Sequence, residues 1–426
     1  MSTDPRVIAH SRRVSEEDFA VLRSHAFASG TVIEHDASSL LAFGCAEALR
    51  LPLGLRDPSA VEEVAERLRA LVSPAGAAGS ELPVAVGAMP FLPDVATELA
   101  VPEVSVMRAG DGATAVVVAA PGLHDEVFDR LLGTARRSRN VSGPGDTAPD
   151  GFRLESARSH ADFLARVLHA IGEVRSGRLD KVVLAREVLI EANRPFRQGD
   201  LLERLRSLHP SCTAFCVDGF FGATPELLIR RCGAELASDP LAGTAARSGD
   251  PDADRRVEQA LLSSEKEREE HRAVVESIVS ALAPVMASLD VPPGPEIVEL
   301  RNVSHLHTRI RGVLAQSPGT GRLPSALEAL ALIHPTPAVS GSPIDVALEY
   351  LAKSEELDRG RYAGPVGWMR ADGDGEFHLG IRAGVLDGRR ARLFAGVGIV
   401  ADSDPEAELR ETQLKLQAVL AAAVRP

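Results

Sequence analysis

Four glutamates, spaced as two pairs one helical turn apart, are the side chains of this sequence best suited to holding a metal ion. After Asp402-Ser403-Asp404-Pro405 the pattern turns helical, with Asp404 as a natural N-cap and Pro405 at the first helical position. At about 100° per residue, Glu408, Glu411 and Lys415 fall on one face, while Leu409, Leu416 and Leu420 fall on another. Two carboxylates one turn apart suit a divalent cation, and a lysine one turn further on suits an anionic ligand. The plainer alternative is an exposed face with Glu411 and Lys415 paired at i,i+4. A second helix is predicted to begin at Ser263 or Ser264, where Ser264 and Glu267 are spaced as a capping box. Its apolar stripe holds Val274, Ile278 and Leu282, and Glu270 lies one turn before Val274 on that stripe. A carboxylate aimed where the core should be is costly unless it is paired or bound to a metal. Acidic residues also favour any helix N-terminus, which is the structural alternative for this pair. Together the two helices offer oxygen ligands for a hard cation, and with no His/Cys cluster in competition Mg2+ is the expected ion.

The elements that must position these groups are those of an ordinary globular chain. The 426 residues are 45% hydrophobic and 25% charged, enough for a large core. A net charge of -13 disfavours attraction to nucleic acid or anionic lipid, so an anionic substrate needs a local basic pocket or a metal. Cys45, Cys212, Cys216 and Cys232 lack CxxC spacing and are expected to be buried free thiols. Neither a signal peptide nor a membrane span is predicted, and a cytoplasmic location is the expectation. Pro/Gly/Ser-rich stretches occur near 73–83 and 138–149, the second being the better boundary. The expected division is therefore a variable N-terminal portion over 1–150 and a catalytic core over 151–426. Before the boundary, Ser59 to Leu71 is helix-like and Ala113 to Ala119 strand-like. Near the C-terminus, Asp372-Gly373-Asp374-Gly375 and Asp387-Gly388 separate three β-like runs, Tyr362 to Arg370, Glu376 to Leu386 and Arg389 to Val400. These predict a three-stranded antiparallel meander with Arg382 on a face of its middle strand, among small residues.

Eight segments occur in an order that resembles the chorismate-utilising enzymes: DKVVLAR from Asp180, GATPELL from Gly222, DPLAGTAAR from Asp239, SSEKEREEH from Ser263, NVSHLHT from Asn302, HPTPAVSG from His334, YAGPVGW from Tyr362 and FAGVGIV from Phe394. The resemblance covers roughly Gly151 to the C-terminus. It implies an α/β fold of the α+β type, a single large unit of extended antiparallel β-sheets flanked by helices. It also implies Mg2+ bound by Glu270 and Glu411 with Glu267 and Glu408 in support. Chorismate is the implied substrate, a monomer is expected, and no nucleic acid, membrane or glutamine amidotransferase subunit is expected as a partner.

Within the family the resemblance is greatest to isochorismate synthases, hydroxymutases that add water at C2 of the ring as the C4 hydroxyl leaves. That reaction needs a base on water and an acid on the departing oxygen, roles the resemblance assigns to Lys181 and Glu226. Locally, Lys181 would pass for a charge at a strand edge and Glu226 for a surface residue in a turn. Ammonia-using relatives such as anthranilate synthase component I typically carry glutamine at the position of Lys181. Ala242 stands where aminodeoxychorismate synthases typically have lysine. Salicylate synthases, which go on to eliminate pyruvate, are the nearest alternative; they tend to carry threonine at the position of Ala338. Tyr362 does not discriminate. Arg382 and Lys415 are the implied carboxylate anchors, with Gly243, Thr244, His305 and Gly396 completing the pocket. His305 and Gly396 could instead serve only the core or relieve strand crowding. Siderophore (2,3-dihydroxybenzoate) biosynthesis is the expected route, with menaquinone biosynthesis or salicylate formation as alternatives. A family member that binds without catalysing is the remaining class.

Overall fold

The computed structural model describes residues 7–36, 38–72, 81–110, 112–139 and 148–424. The core of the boundary expected near 138–149, and most of the first Pro/Gly/Ser stretch, lie outside the described residues. Two antiparallel sheets of 12 and nine strands, with a three-stranded sheet beside them, make the framework. Strands from both halves of the chain are interleaved: Ile8–Val14 and Gly112–Ala119 lie in the large sheet, and Val84–Ala88 and Thr97–Val101 in the second. Ile33, Leu40, Phe215, Phe220 and Ala383 of the large sheet pack on Val84, Val86, Ala88 and Val366 of the second. Phe215 and Phe220 are fully buried there, each removal from water contributing roughly 1.5–3 kcal/mol. Helices cover the outer face of the large sheet, where Leu22, Leu202, Leu205 and Val419 meet Val32, Leu41, Phe221 and Leu393.

Eleven elements carry the site. In chain order they are β1 (Lys181–Ala192), β2 (Phe220–Thr224), β3 (Leu227–Cys232), β4 (Leu241–Ala246), α1 (Glu265–Leu282) and β5 (Val303–His307). They continue with β6 (Pro365–Arg370), β7 (Gly375–Leu379), β8 (Ala383–Asp387), β9 (Arg390–Ile399) and α2 (Pro405–Val424). β1 pairs with β9 over ten positions, placing Val183 opposite Gly398 and Ala185 opposite Gly396.

The predicted meander is two hairpins instead. β6 and β7 pair in the second sheet, β8 and β9 in the large one, and the run expected to be a single middle strand changes sheets at Gly380-Ile381-Arg382. The Gly380 amide donates to the Gly364 carbonyl at 2.7 Å, so close that a side chain at Gly380 would meet that oxygen. Arg382 takes φ +49°, a conformation costly for a residue with a Cβ. Alternation along the run concealed this break, because glycine and isoleucine are compatible with a strand. A parallel change of sheet occurs between β2 and β3, at Pro225-Glu226.

Two smaller expectations also change. The four thiols are free, but only Cys212 and Cys216 are buried; Cys45, in the connection between two strands, and Cys232, at a strand end, are exposed. The capping box of α1 forms by half: Ser264 Oγ accepts from the Glu267 amide at 3.3 Å, while the Glu267 side chain turns to the cavity described next.

Candidate active site

The two sheet crossings meet. The Leu379 amide donates to the Glu226 carbonyl at 3.0 Å, and the Ala223 amide to the Arg382 carbonyl at 3.3 Å, so the turn bearing Glu226 and the break bearing Arg382 hold each other. Glu226 and Arg382 thereby enter one cavity of about 160 Å³ closed by α1 and α2. All fifteen residues singled out from the sequence line it: Lys181, Glu226, Ala242, Gly243, Thr244, Glu267, Glu270, His305, Ala338, Tyr362, Arg382, Gly396, Glu408, Glu411 and Lys415.

Lys181 opens β1 and is only 8% exposed, which excludes the solvated strand-edge alternative. Its Nζ lies 2.5 Å from Glu270 Oε1. Gly398 makes this placement possible, since a Cβ there would come within 2.5 Å of Lys181 Cε. Glu226 is 3% exposed rather than at the surface, and its Oε1 is buried with no hydrogen-bond partner. Burial pushes its pKa up to about 8, against the pull of the Leu241 amide and the charges of Lys181, Lys415 and Arg382. A carboxyl so placed is largely protonated at neutral pH and can donate to an oxygen in the cavity.

On the opposite wall, Arg382 Nη2 donates to His305 Nε2 at 2.9 Å, and His305 Nδ1 lies 3.1 Å from both the Gly243 carbonyl and Thr244 Oγ1. Burial, and then the charge of Arg382, lower the His305 pKa to about 3. The imidazole is therefore neutral, with its proton on Nδ1, and orients the guanidinium. His305 thus serves the core and the cavity at once. Tyr362 stacks on Phe394 with ring centroids 5.1 Å apart, and its hydroxyl lies against Gly396, where a Cβ would stand 3.1 Å away. Burial raises its pKa, so the phenol stays neutral.

The acidic faces converge as their spacing predicts. Asp404 caps α2 by accepting from the Ala407 amide at 2.7 Å. Leu409, Thr412 and Leu416 are buried while Glu408, Glu411 and Lys415 reach the cavity. The i,i+4 pair does form, Lys415 Nζ being 2.7 Å from Glu411 Oε1 and 3.0 Å from the Gly396 carbonyl, so pairing and site placement coexist. Burial, and then repulsion from Glu270 and Glu411, raise the Glu267 pKa. Burial raises Glu408 to about 6, with Glu411 adding to it. For Glu270 burial works upward, but Lys181 outweighs it and the pKa is lowered. Four mutually repelling carboxylates are an oxygen-only donor set that a hard divalent cation would stabilise. Among the described residues no group of three or more His, Cys, Asp or Glu side chains is drawn together as a metal site, and Glu270 and Glu411 are paired with Lys181 and Lys415. What fits Mg2+ is the chemistry of the donors, which are all carboxylate oxygens of the kind that ion takes alongside water and substrate oxygens.

Lys266, Val183, Phe394 and Gly398 also line the cavity and were not singled out. Val183 and Gly398 share the face of β1 and β9 that holds Lys181 and Gly396, so strand alternation could have found them.

A family model described as chorismate binding enzyme matches residues 25–424. The chain is 42% identical over 320 residues to the salicylate biosynthesis isochorismate synthase of Pseudomonas aeruginosa, covering 73% of this chain but 63% of that protein. It is 33% identical to isochorismate synthase DhbC of Bacillus subtilis over 85% of this chain and 86% of the other. Among solved structures, a Bacillus anthracis protein assigned as a 2,3-dihydroxybenzoate-specific isochorismate synthase, DhbC, superposes with a TM-score of 0.79 at 30% identity. That superposition covers 96% of this chain and all of the other.

Proposed function

We propose that this chain, which belongs to the chorismate binding enzymes, converts chorismate to isochorismate. One observation carries the reading: a buried lysine and a carboxyl with a pKa of about 8 face one cavity that also holds Arg382 and four glutamates. Lys181, in its neutral amine form, takes a proton at Nζ from the water that adds at C2. Glu226 delivers its proton to the C4 hydroxyl, which leaves as water, so atoms and charge balance. Positioned proton transfer of this kind is typically worth ~10² to 10⁴ in rate. Arg382, held by neutral His305, and Lys415 bind substrate carboxylates; the guanidinium suits two-point contact. Gly243 and Gly396 let the backbone approach the substrate closely, Thr244 meets His305 through its hydroxyl, and Tyr362 and Phe394 exclude water behind it. Glu270 and Glu411, with Glu267 and Glu408 beside them, would hold Mg2+, which when bound neutralises substrate carboxylate charge and fixes the ring.

Lys181, Ala242 and Ala338 favour this reaction over ammonia addition or pyruvate elimination. The route supplied is proposed to be siderophore biosynthesis of the 2,3-dihydroxybenzoate type, by a monomer in the cytoplasm. Chromatography of products from chorismate and Mg2+ tests the function. Isochorismate alone is expected. Salicylate with pyruvate in the absence of a lyase would refute the choice within the family, and unconsumed chorismate with folded protein would refute catalysis.

A further inference from the structure

The chain uses arginine for nearly every positive charge. Of its 47 Lys and Arg residues only four are lysine: Lys181, Lys266, Lys353 and Lys415. Lys353 pairs with Glu349 on an exposed helix. The other three all line the active-site cavity, although the residues lining that cavity are a small fraction of the chain. A protein that takes arginine as its general-purpose cation has lysine where the cavity is, which points to a need for the lysine amine there rather than for positive charge alone.

Lys181 pairs with Glu270, and Lys415 with Glu411 and the Gly396 carbonyl, inside the cavity. Lys266, in the first turn of α1, is different. It is exposed yet lines the cavity, which places it at the mouth, and no described residue forms a salt bridge with it. It adjoins Glu267 in the first turn of α1 and lines the same cavity as Glu270 and Glu408. An approaching dianion meets a chain of net charge -13 and four cavity glutamates that share the lining with Lys181, Arg382 and Lys415, so the glutamates oppose entry while those cations hold the bound ligand. Lys266 is the cation at the mouth left free to offset that opposition.

We propose that Lys266 is a substrate-capturing residue whose ammonium takes a carboxylate of the incoming dicarboxylate and draws it past the glutamates. This rests on the reading of the site given above. Lysine suits the task because its ammonium is a compact charge on a flexible stem that can turn from solvent to ligand. An arginine there would present a planar fork beside Glu267, Glu270 and Glu408 and would lock onto a carboxylate in two-point contact, closing the mouth.

The test compares wild type, Lys266→Gln and Lys266→Arg at saturating Mg2+, measuring kcat and KM for chorismate from low salt to about 0.5 M. An exposed charge of this kind is expected to be worth roughly three- to tenfold in kcat/KM at low salt. Lys266→Gln should show that loss in KM, with kcat within about twofold and the gap closing as salt screens it. Lys266→Arg should fail to restore KM. An unchanged KM, a gap independent of salt, or a loss confined to kcat overturns the capture role. A changed Mg2+ requirement with unaltered KM does so too, assigning Lys266 to charge balance among the glutamates. Full function in Lys266→Arg overturns the ammonium requirement. Calorimetric binding of chorismate to the same three proteins separates the proposal from the reading beneath it. If wild type binds chorismate without forming isochorismate, the functional reading fails, while the affinity of Lys266→Gln still decides the role of Lys266.

Discussion

Glu226→Gln should make the protein more stable relative to wild type as pH rises, a gain that cavity contacts alone would not suggest. A carboxyl with a folded pKa of about 8 and an unfolded value near 4.5 binds its proton more tightly in the folded state. The stabilisation is complete below pH 4.5 and lost as pH rises through 8, because the folded protein must then bury a charge or release the segment that carries it. Integrated from pH 5 to 9, the difference is about 4 kcal/mol at most, and relaxation around a buried charge reduces it. With an unfolding entropy of ~2.1 cal/mol/K per residue, each kcal/mol moves the Tm of a chain this long by about 1 °C, so the full gap is about 4 °C. Glutamine keeps the shape of the side chain and cannot ionise. Paired thermal melts across that range cancel every other titrating group, and the Tm of the variant minus that of wild type should climb with pH. A difference flat in pH would show that Glu226 ionises as readily folded as unfolded, and would remove the basis for its role as the acid. Activity gives the complement: wild-type kcat/KM should decline above about pH 8, and Glu226→Gln should retain little turnover at any pH.

Lys181→Gln should abolish water addition while leaving chorismate binding measurable by calorimetry; turnover near the wild-type rate would remove Lys181 as the base. Gly398→Ala places a methyl group within 2.5 Å of Lys181 Cε and should cost on the order of 10²-fold in kcat by displacing Nζ, with Tm little changed. A fully active variant would mean that the position of the amine is not critical. Glu270→Ala and Glu411→Ala should each raise the Mg2+ concentration needed for half-maximal turnover by tenfold or more, and an unaltered Mg2+ titration would break the ligand assignment. Arg186 is buried beneath α2, where its Nη1 donates to Thr412 at 2.8 Å and its guanidinium lies over the Phe163 ring. Arg186→Ala should lower stability by about 2–3 kcal/mol in denaturant unfolding, and a change under 0.5 kcal/mol would show that this link does not anchor the acidic helix.

The difference between what the residues declared and what they concealed has a physical pattern. Glu408, Glu411, Glu267 and Glu270 were legible because a helix has a fixed period, so sequence spacing converts directly into a shared face. The N-cap at Asp404 was legible for the same local reason. Lys181 and Glu226 were not legible from their surroundings: a lysine opening an apolar strand and a glutamate after proline describe the surface equally well, and only the ordered motifs singled them out. Their burial comes from partners far along the chain, Glu270 and Gly398 for one, Leu379 and Leu241 for the other. The false meander has the same origin. Alternation specifies the two faces of a strand but not the sheet to which the next residue belongs, and Gly380 and Arg382 depart from strand geometry only because Gly364 and Ala223 are waiting across the gap. These non-local departures also border the cavity. A continuous strand would satisfy its own amides and carbonyls and point its side chains into a layer of the core. A strand that leaves one sheet for another opens a gap between the layers, and two such crossings side by side put a protonatable carboxyl and a guanidinium into that gap. The helices could supply the carboxylates by period alone, but the buried carboxyl of Glu226 and the guanidinium of Arg382 required the sheets to break.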